Sequence, residues 1–197
     1  MSFNKPKIEN INQFERGYLL GLFLGDGYSF YSPKDRHYRV EFYLNSKTDK
    51  DIIEYTKGII KKLNLNYFLM KDKRFYCLKI AANSKSFREF IKGNFKKLEG
   101  VYNFNKIFKS GIICGFIDAE GCTKNGGISV SQRDKKRMGI IIDLCESLGI
   151  NDLRLKRYKN PKTTKPIYRL RISTRFKYML LDSCKVKRMA GVNLCSS

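Results

Sequence analysis

The segments GYLLGLFLGDG, residues 17–27, and GIICGFIDAEG, residues 111–121, are two versions of one design. Gly17, Gly21 and Gly25 match Gly111, Gly115 and Ala119 at a constant offset of 94 (111 − 17, 115 − 21, 119 − 25), and Asp26 and Gly27 match Glu120 and Gly121 at the same offset. Small residues four apart fall on one helix face and leave a smooth groove there. A helix-interior glycine costs about 1 kcal/mol relative to alanine. A row of them implies compensation, by another backbone coming nearer than the usual spacing of about 8–10 Å between helix axes. Gly17, Gly21, Gly111 and Gly115 are therefore expected to be the contact between two helices that pack on each other about a pseudo-twofold axis.

The acids sharpen this picture. A helix C-terminus carries about half a negative charge, and Asp26 and Glu120 stand where each helix should stop, with Gly27 and Gly121 as natural terminators. If the helices pair in parallel, both carboxylates meet at one end of the axis, and a cation is needed there. Oxygen ligands of this kind suit Mg²⁺ (or Mn²⁺), which takes one or two carboxylates and leaves room for substrate phosphate. The backbone carbonyls of Gly25 and Ala119 are candidate additional ligands. Such a centre can activate water against a phosphodiester.

The repeat extends beyond the motifs. A polar turn and a strand-like segment follow each one: HYRVEFYLN at 37–45 and GISVSQ at 127–132. Helical runs come next at 49–64 and 134–149. NYFLMK with RFYCLKI, and DLRLKRY with PIYRLRI, read as further strands, and amphipathic basic helices close the halves near 84–97 and 174–183. The order α-β-β-α-β-β-α in both halves predicts an α+β fold. It would be a tandem of two units, residues 1–100 and 101–197, whose antiparallel sheets form a saddle.

LLGLFLGDG (19–27) and ICGFIDAEG (113–121) resemble the paired motifs of the LAGLIDADG homing endonucleases, above all the single-chain, two-motif subclass found in archaeal introns and organelles. The resemblance implies a monomer that lays two four-stranded sheets in the major groove of a long, near-asymmetric double-stranded DNA target. It also implies that Asp26 and Glu120 bind divalent metal and help cut the two strands, leaving short 3′ overhangs. Polar and basic residues near the metals are part of the same pattern. Gln132, ending its strand before the Asp134 helix, matches the glutamine of the second half. Asn45 is its counterpart only if a one-residue bulge shifts the strand, because parity puts Leu44 there. Lys97 and Lys185, after the last helix of each half, match the family's lysines.

Charge agrees with a polyanionic partner. Forty Lys and Arg against 18 Asp and Glu give +22, and residues 151–197 hold thirteen basic residues against Asp152 and Asp182 alone. Such an excess repels itself unless a polyanion relieves it. Strand alternation puts Arg39 and Tyr43, Arg154 and Lys156, and Arg169 and Arg171 opposite apolar faces, which suits base edges and phosphates. One histidine disfavours His-based triads and multi-histidine metal nucleases. Six cysteines without a C-x-x-C pair disfavour disulfides and a thiolate zinc site. The polar N-terminus and the lack of a long apolar run point to an intracellular protein, in cytoplasm, nucleoid or organelle matrix, with no membrane span. A relative that has lost cleavage, acting on intron RNA as a maturase or as a DNA-binding regulator, shares most of these features. It would not need both acids.

Overall fold

The computed structural model describes residues 5–34, 36–72, 76–122, 128–159 and 165–173. Its centre is a pair of helices, α1 (Gln13–Asp26) and α4 (Lys106–Glu120). Each starts on an asparagine. The Asn12 side chain accepts from Glu15 N at 2.8 Å while the Glu15 carboxylate accepts from Asn12 N at 3.0 Å, a reciprocal capping box. Asn105 Oδ1 accepts from Phe108 N at 2.8 Å. From there inward nearly every side chain of both helices is buried.

The glycines are where the two backbones touch. A Cβ at Gly21 would lie 2.0 Å from Ile112 O, one at Gly115 2.1 Å from Tyr18 O, one at Gly17 2.1 Å from Phe108 O, and one at Gly111 2.3 Å from Phe14 O. No side chain fits any of the four positions without moving backbone. The expected helix contact is therefore present, and each helix inserts its glycines against the carbonyls of the other.

Gly27 and Gly121 end the helices differently from expectation. Both have extended backbones (φ −95°, ψ 149° and φ −87°, ψ 157°), so no left-handed terminator is used. The chain turns straight from helix into strand. A Cβ there would meet Phe23 O at 2.5 Å or Ile117 O at 2.3 Å, and close approach rather than backbone conformation selects glycine.

The strands after the motifs are β1 (Gly27–Ser32) and the short β5 (Gly121–Cys122), which the sequence reading took for polar turns. The first half continues through β2 (His37–Asn45), α2 (Lys50–Lys62), β3 (Tyr67–Asp72), β4 (Cys77–Asn83) and α3 (Lys85–Lys97). The second continues through β6 (Ile128–Gln132), α5 (Lys135–Ser147), β7 (Leu153–Tyr158) and β8 (Ile167–Ile172). The helix expected near 174–183 lies outside the described residues. Two antiparallel four-stranded sheets result, in the orders β1-β2-β4-β3 and β5-β6-β8-β7. Their inner faces (Val40, Phe42 and Leu44 in one, Val130, Leu170 and Ile172 in the other) close the core against the helices.

One cysteine contradicts the expectation of no disulfides. Cys114, buried on α4, is disulfide-bonded. Spacing arguments read C-x-x-C patterns and say nothing of other pairs.

Candidate metal centre and nucleic-acid interface

Asp26 and Glu120 end α1 and α4 at the same end of the helix pair. A Cβ on Gly25 would fall 2.4 Å from the Ala119 Cβ and 3.1 Å from Glu120 Cγ, so the two motif ends are in direct contact. Both carboxylates are half-buried. Burial, and then the charge of Asp26, push the Glu120 carboxyl up from its ordinary 4.5 to about 7, against the opposing pull of Gln132, Arg137 and Arg133. Two acids forced together in this way favour a cation between them. Among the described residues no group of three or more His, Cys, Asp or Glu side chains could hold a metal. Two neighbouring carboxylates are donors of the kind that suits a hard divalent ion completing its shell with water and phosphate.

Gln132 stands beside this pair. Its Nε2 donates to Glu120 Oε1 at 2.8 Å, and its Oε1 accepts from Arg133 N at 2.8 Å and Asp134 N at 3.2 Å. The two backbone donors fix which end of the amide faces the acid. In the first half the ladder runs without interruption from Gly27↔Phe42 and on through Asn45↔Cys77, so the bulge that would have aligned Asn45 with Gln132 is absent. Pairing Phe42 with Val130 by their positions opposite the motif glycines gives an offset of 88 (130 − 42), which places Leu44 at the position of Gln132 (132 − 44). Leu44 is buried. Asn45 is exposed, and its Oδ1 accepts from Lys47 N and Thr48 N in the turn before α2. Lys97 is exposed as the last residue of α3, and Lys185 lies outside the described residues.

Arg137 was not anticipated. It belongs to α5, yet its Nη1 donates to Leu24 O at 2.8 Å and Gly25 O at 3.3 Å, the last carbonyls of α1. A guanidinium there answers the negative end of that helix, and it shares the Gly25 carbonyl named as a metal ligand. On sequence alone Arg137 is one more basic residue on an exposed helix. Only its neighbours across the fold set it apart.

The outer sheet faces carry the residues expected at DNA. Arg154, Lys156, Arg169 and Arg171 are exposed on one face of the second sheet. Arg39 and Tyr43 lie on the outer face of the first, both bonded to the buried carboxylate of Glu41: Arg39 Nη1 at 3.3 Å and Tyr43 OH at 2.6 Å. No helix among the described residues is long and apolar enough to cross a membrane.

Comparison with known proteins agrees with this architecture. Residues 108–181 match the LAGLIDADG-like domain family. An uncharacterized protein of Methanocaldococcus jannaschii is 24% identical over 153 residues, which are 76% of this chain and 54% of that one, so the chain spans about half of that relative's length. Among solved structures, the homing endonuclease I-DmoI in complex with DNA and Mn aligns over 87% of this chain and 96% of its own, with a TM-score of 0.64 and 22% identity. The N-terminal LAGLIDADG domain of DUF199/WhiA aligns over 93% and 89%, with a TM-score of 0.59 and 14% identity. The homing endonuclease I-WcaI bound to its DNA recognition sequence aligns over 87% and 80%, with a TM-score of 0.53 and 16% identity. Residues 108–181 are thus similar to the LAGLIDADG-like domain, and the chain shares the fold of these solved structures.

Proposed function

We propose that this protein is a site-specific double-strand DNA endonuclease that hydrolyses one phosphodiester on each strand with a divalent metal, Mg²⁺ or Mn²⁺. The observation that carries the proposal is the meeting of Asp26 and Glu120 from opposite halves at one end of the glycine contact. In this reading the two carboxylates and the Ala119 carbonyl hold the metal, with Gly25 contributing as far as Arg137 allows. The metal supplies an activated water and charge neutralisation at the phosphate. Gln132 keeps Glu120 aimed at the shared site. Arg137 holds the end of α1, and so the backbone beside Asp26, in place. The two sheets, as halves 1–100 and 101–197 of a monomer, lie along the duplex and bring one strand to each acid. Lys97 and Lys185 are assigned the family's part of stabilising charge on the reacting phosphate. Solved relatives of this fold are described bound to DNA, with Mn in one case and Ca in another.

The test is cleavage of a randomised double-stranded DNA library in Mg²⁺, with sequencing of the cut ends. A defined cut with a constant stagger between strands is expected. Binding of a defined duplex with no cutting in Mg²⁺ or Mn²⁺ would instead favour a regulator or an RNA-directed maturase.

A further inference from the structure

The outer faces of the two sheets are built on different principles. In the second sheet the register sets Arg154 directly opposite Arg171 and Lys156 directly opposite Arg169. All four are exposed, and β5–β8 contain no acid. Like charges facing each other across strands destabilise a sheet, so this surface stands at a cost that a bound polyanion would relieve. Among the described residues, only Arg169 of the four has local support, from Ser131 Oγ at 3.3 Å and the Tyr158 ring at 5.0 Å.

The first sheet is neutralised from within. Glu41, 6% exposed, lies in the middle of the outward face. It takes Arg39 on one oxygen and Tyr43 on the other. Arg39 is occupied on every nitrogen: besides Glu41, its Nε donates to Asn83 Oδ1 at 3.2 Å and its Nη2 meets His37 Nε2 at 3.0 Å, with the guanidinium 5.1 Å above the Phe68 ring. Lys79 lies 5.0 Å from the Tyr43 ring. What this face leaves open is aromatic: Tyr28 is 52% and Phe30 40% exposed, across the ladder from Glu41 and Arg39.

We propose that the two sheets read their half-sites by different chemistry. The second sheet grips phosphates and guanine edges with four exposed cations, while the first, closed around Glu41, selects an A·T-weighted half-site through aromatic contact with thymine methyl groups. Arginine and lysine suit guanine O6 and N7, and apolar side chains suit the thymine methyl. The inference rests on the sheets being a DNA saddle and adds what each side of it prefers.

The experiment selects bound duplexes from a randomised library in Ca²⁺, with wild type, Arg154→Ala/Arg171→Ala and Glu41→Gln. Wild type should enrich targets that are G·C-weighted at one end and A·T-weighted at the other. The arginine double variant should lose preference at the G·C end only and lower the log–log salt slope by about 2, one per lost phosphate or base-edge cation. Glu41→Gln frees the charge of Arg39, so it should steepen the slope by about 1 and weaken preference at the A·T end only. In DNA-free protein the arginine double variant should melt higher than wild type, because the directly opposed Arg154–Arg171 pair is removed. This readout does not depend on the library. Enriched targets with the same composition at both ends, or an Arg39→Ala variant that flattens the salt slope as much as Arg171→Ala, would overturn the inference and leave the endonuclease reading standing. A library with no enrichment over input would remove the DNA-reading proposal itself.

Discussion

The surroundings that the first half gives the Asp26–Glu120 pair and those that the second half gives it differ more than their motifs do. Helices α2 and α5 have equal length and align at an offset of 85 (135 − 50, 147 − 62). Their buried residues agree: Ile53 with Met138, Thr56 with Ile141, Ile59 with Leu144, Ile60 with Cys145. At that offset Arg137 stands where the first half buries Ile52, just as Gln132 stands where it buries Leu44. The second half thus sends an amide to its own acid and a guanidinium to the other half's helix end, while the first half fills both positions with hydrocarbon. The backbone symmetry that joins the acids is kept, and the polar environment around them is lopsided. An asymmetric centre of this kind need not treat the two strands of a duplex alike.

The largest expected effect falls where the corners agree. Asp26→Asn and Glu120→Gln should each abolish double-strand cleavage, a loss at least as great as the roughly hundred- to thousand-fold expected when one transition-state stabilising group is removed. Binding of the target without divalent metal should remain, as measured by fluorescence anisotropy. If the asymmetry matters, one variant will leave a nick in a preferred strand and the other will not. Equal and complete loss in both, with no strand bias, would show that the lopsided surroundings have no kinetic consequence. Full cutting activity in either variant would end the two-acid mechanism.

Next comes the seam. Gly21→Ala and Gly115→Ala each place a methyl group about 2 Å from a backbone oxygen. Rigid backbone cannot yield as side chains do, so each should lose at least the 1–3 kcal/mol or so of ordinary overpacking, seen as a drop in Tm. Gly58 on α2 and Gly139 on α5 have nothing within 4 Å of an added Cβ. Alanine at either should raise stability by about 0.4–1 kcal/mol. A seam that tolerates alanine as well as these positions do would mean that the helices stand further apart.

Much of this was legible in the residues. The offset of 94 gave the helix pair, its contact glycines and the joined acids. Strand alternation placed Val40, Phe42 and Leu44 inward and Arg169 and Arg171 outward. Gln132, at the end of its strand, was singled out through the family resemblance. What stayed hidden has a common physical cause, which is that it depends on partners distant in the chain. Arg137 reaches a carbonyl 113 residues away. Period-2 patterning gives the side of the sheet on which Arg39 lies, but it does not reveal that Glu41, Asn83 and His37 consume its donors. YSFYS escaped for a local reason: a strand that starts at the last helical turn, with no intervening loop, carries no boundary signal.

A smaller effect probes the mismatch directly. Arg137→Ile makes the second corner like the first and leaves the Leu24 and Gly25 carbonyls without their guanidinium. Metal-free protein should lose about 1.5–3 kcal/mol, the range for a hydrogen bond to a charged group, and added Mg²⁺ should recover part of it by binding the folded state alone. Thermal melts with and without Mg²⁺ read both numbers. If Mg²⁺ stabilises Arg137→Ile no more than wild type, the guanidinium and the metal do not share the end of α1.

The finest discrimination lies in pH. Glu120 holds its proton to about 7 in the fold and to its ordinary 4.5 when unfolded, because burial and Asp26 oppose its charge. Between those values the unfolded chain binds fewer protons than the folded one, so stability must fall as pH rises from about 4.5 to about 7, then level off. Metal-free wild type should therefore melt lower at pH 8 than at pH 5 by a margin that Glu120→Gln removes. Gln132 pulls the Glu120 carboxyl downward, so Gln132→Leu, which copies the buried leucine of the first half, should raise that carboxyl further and extend the falling branch beyond pH 7. If Gln132→Leu leaves the branch where it is, the amide positions Glu120 without tuning it, and the chemical difference between the two corners rests on Arg137 alone.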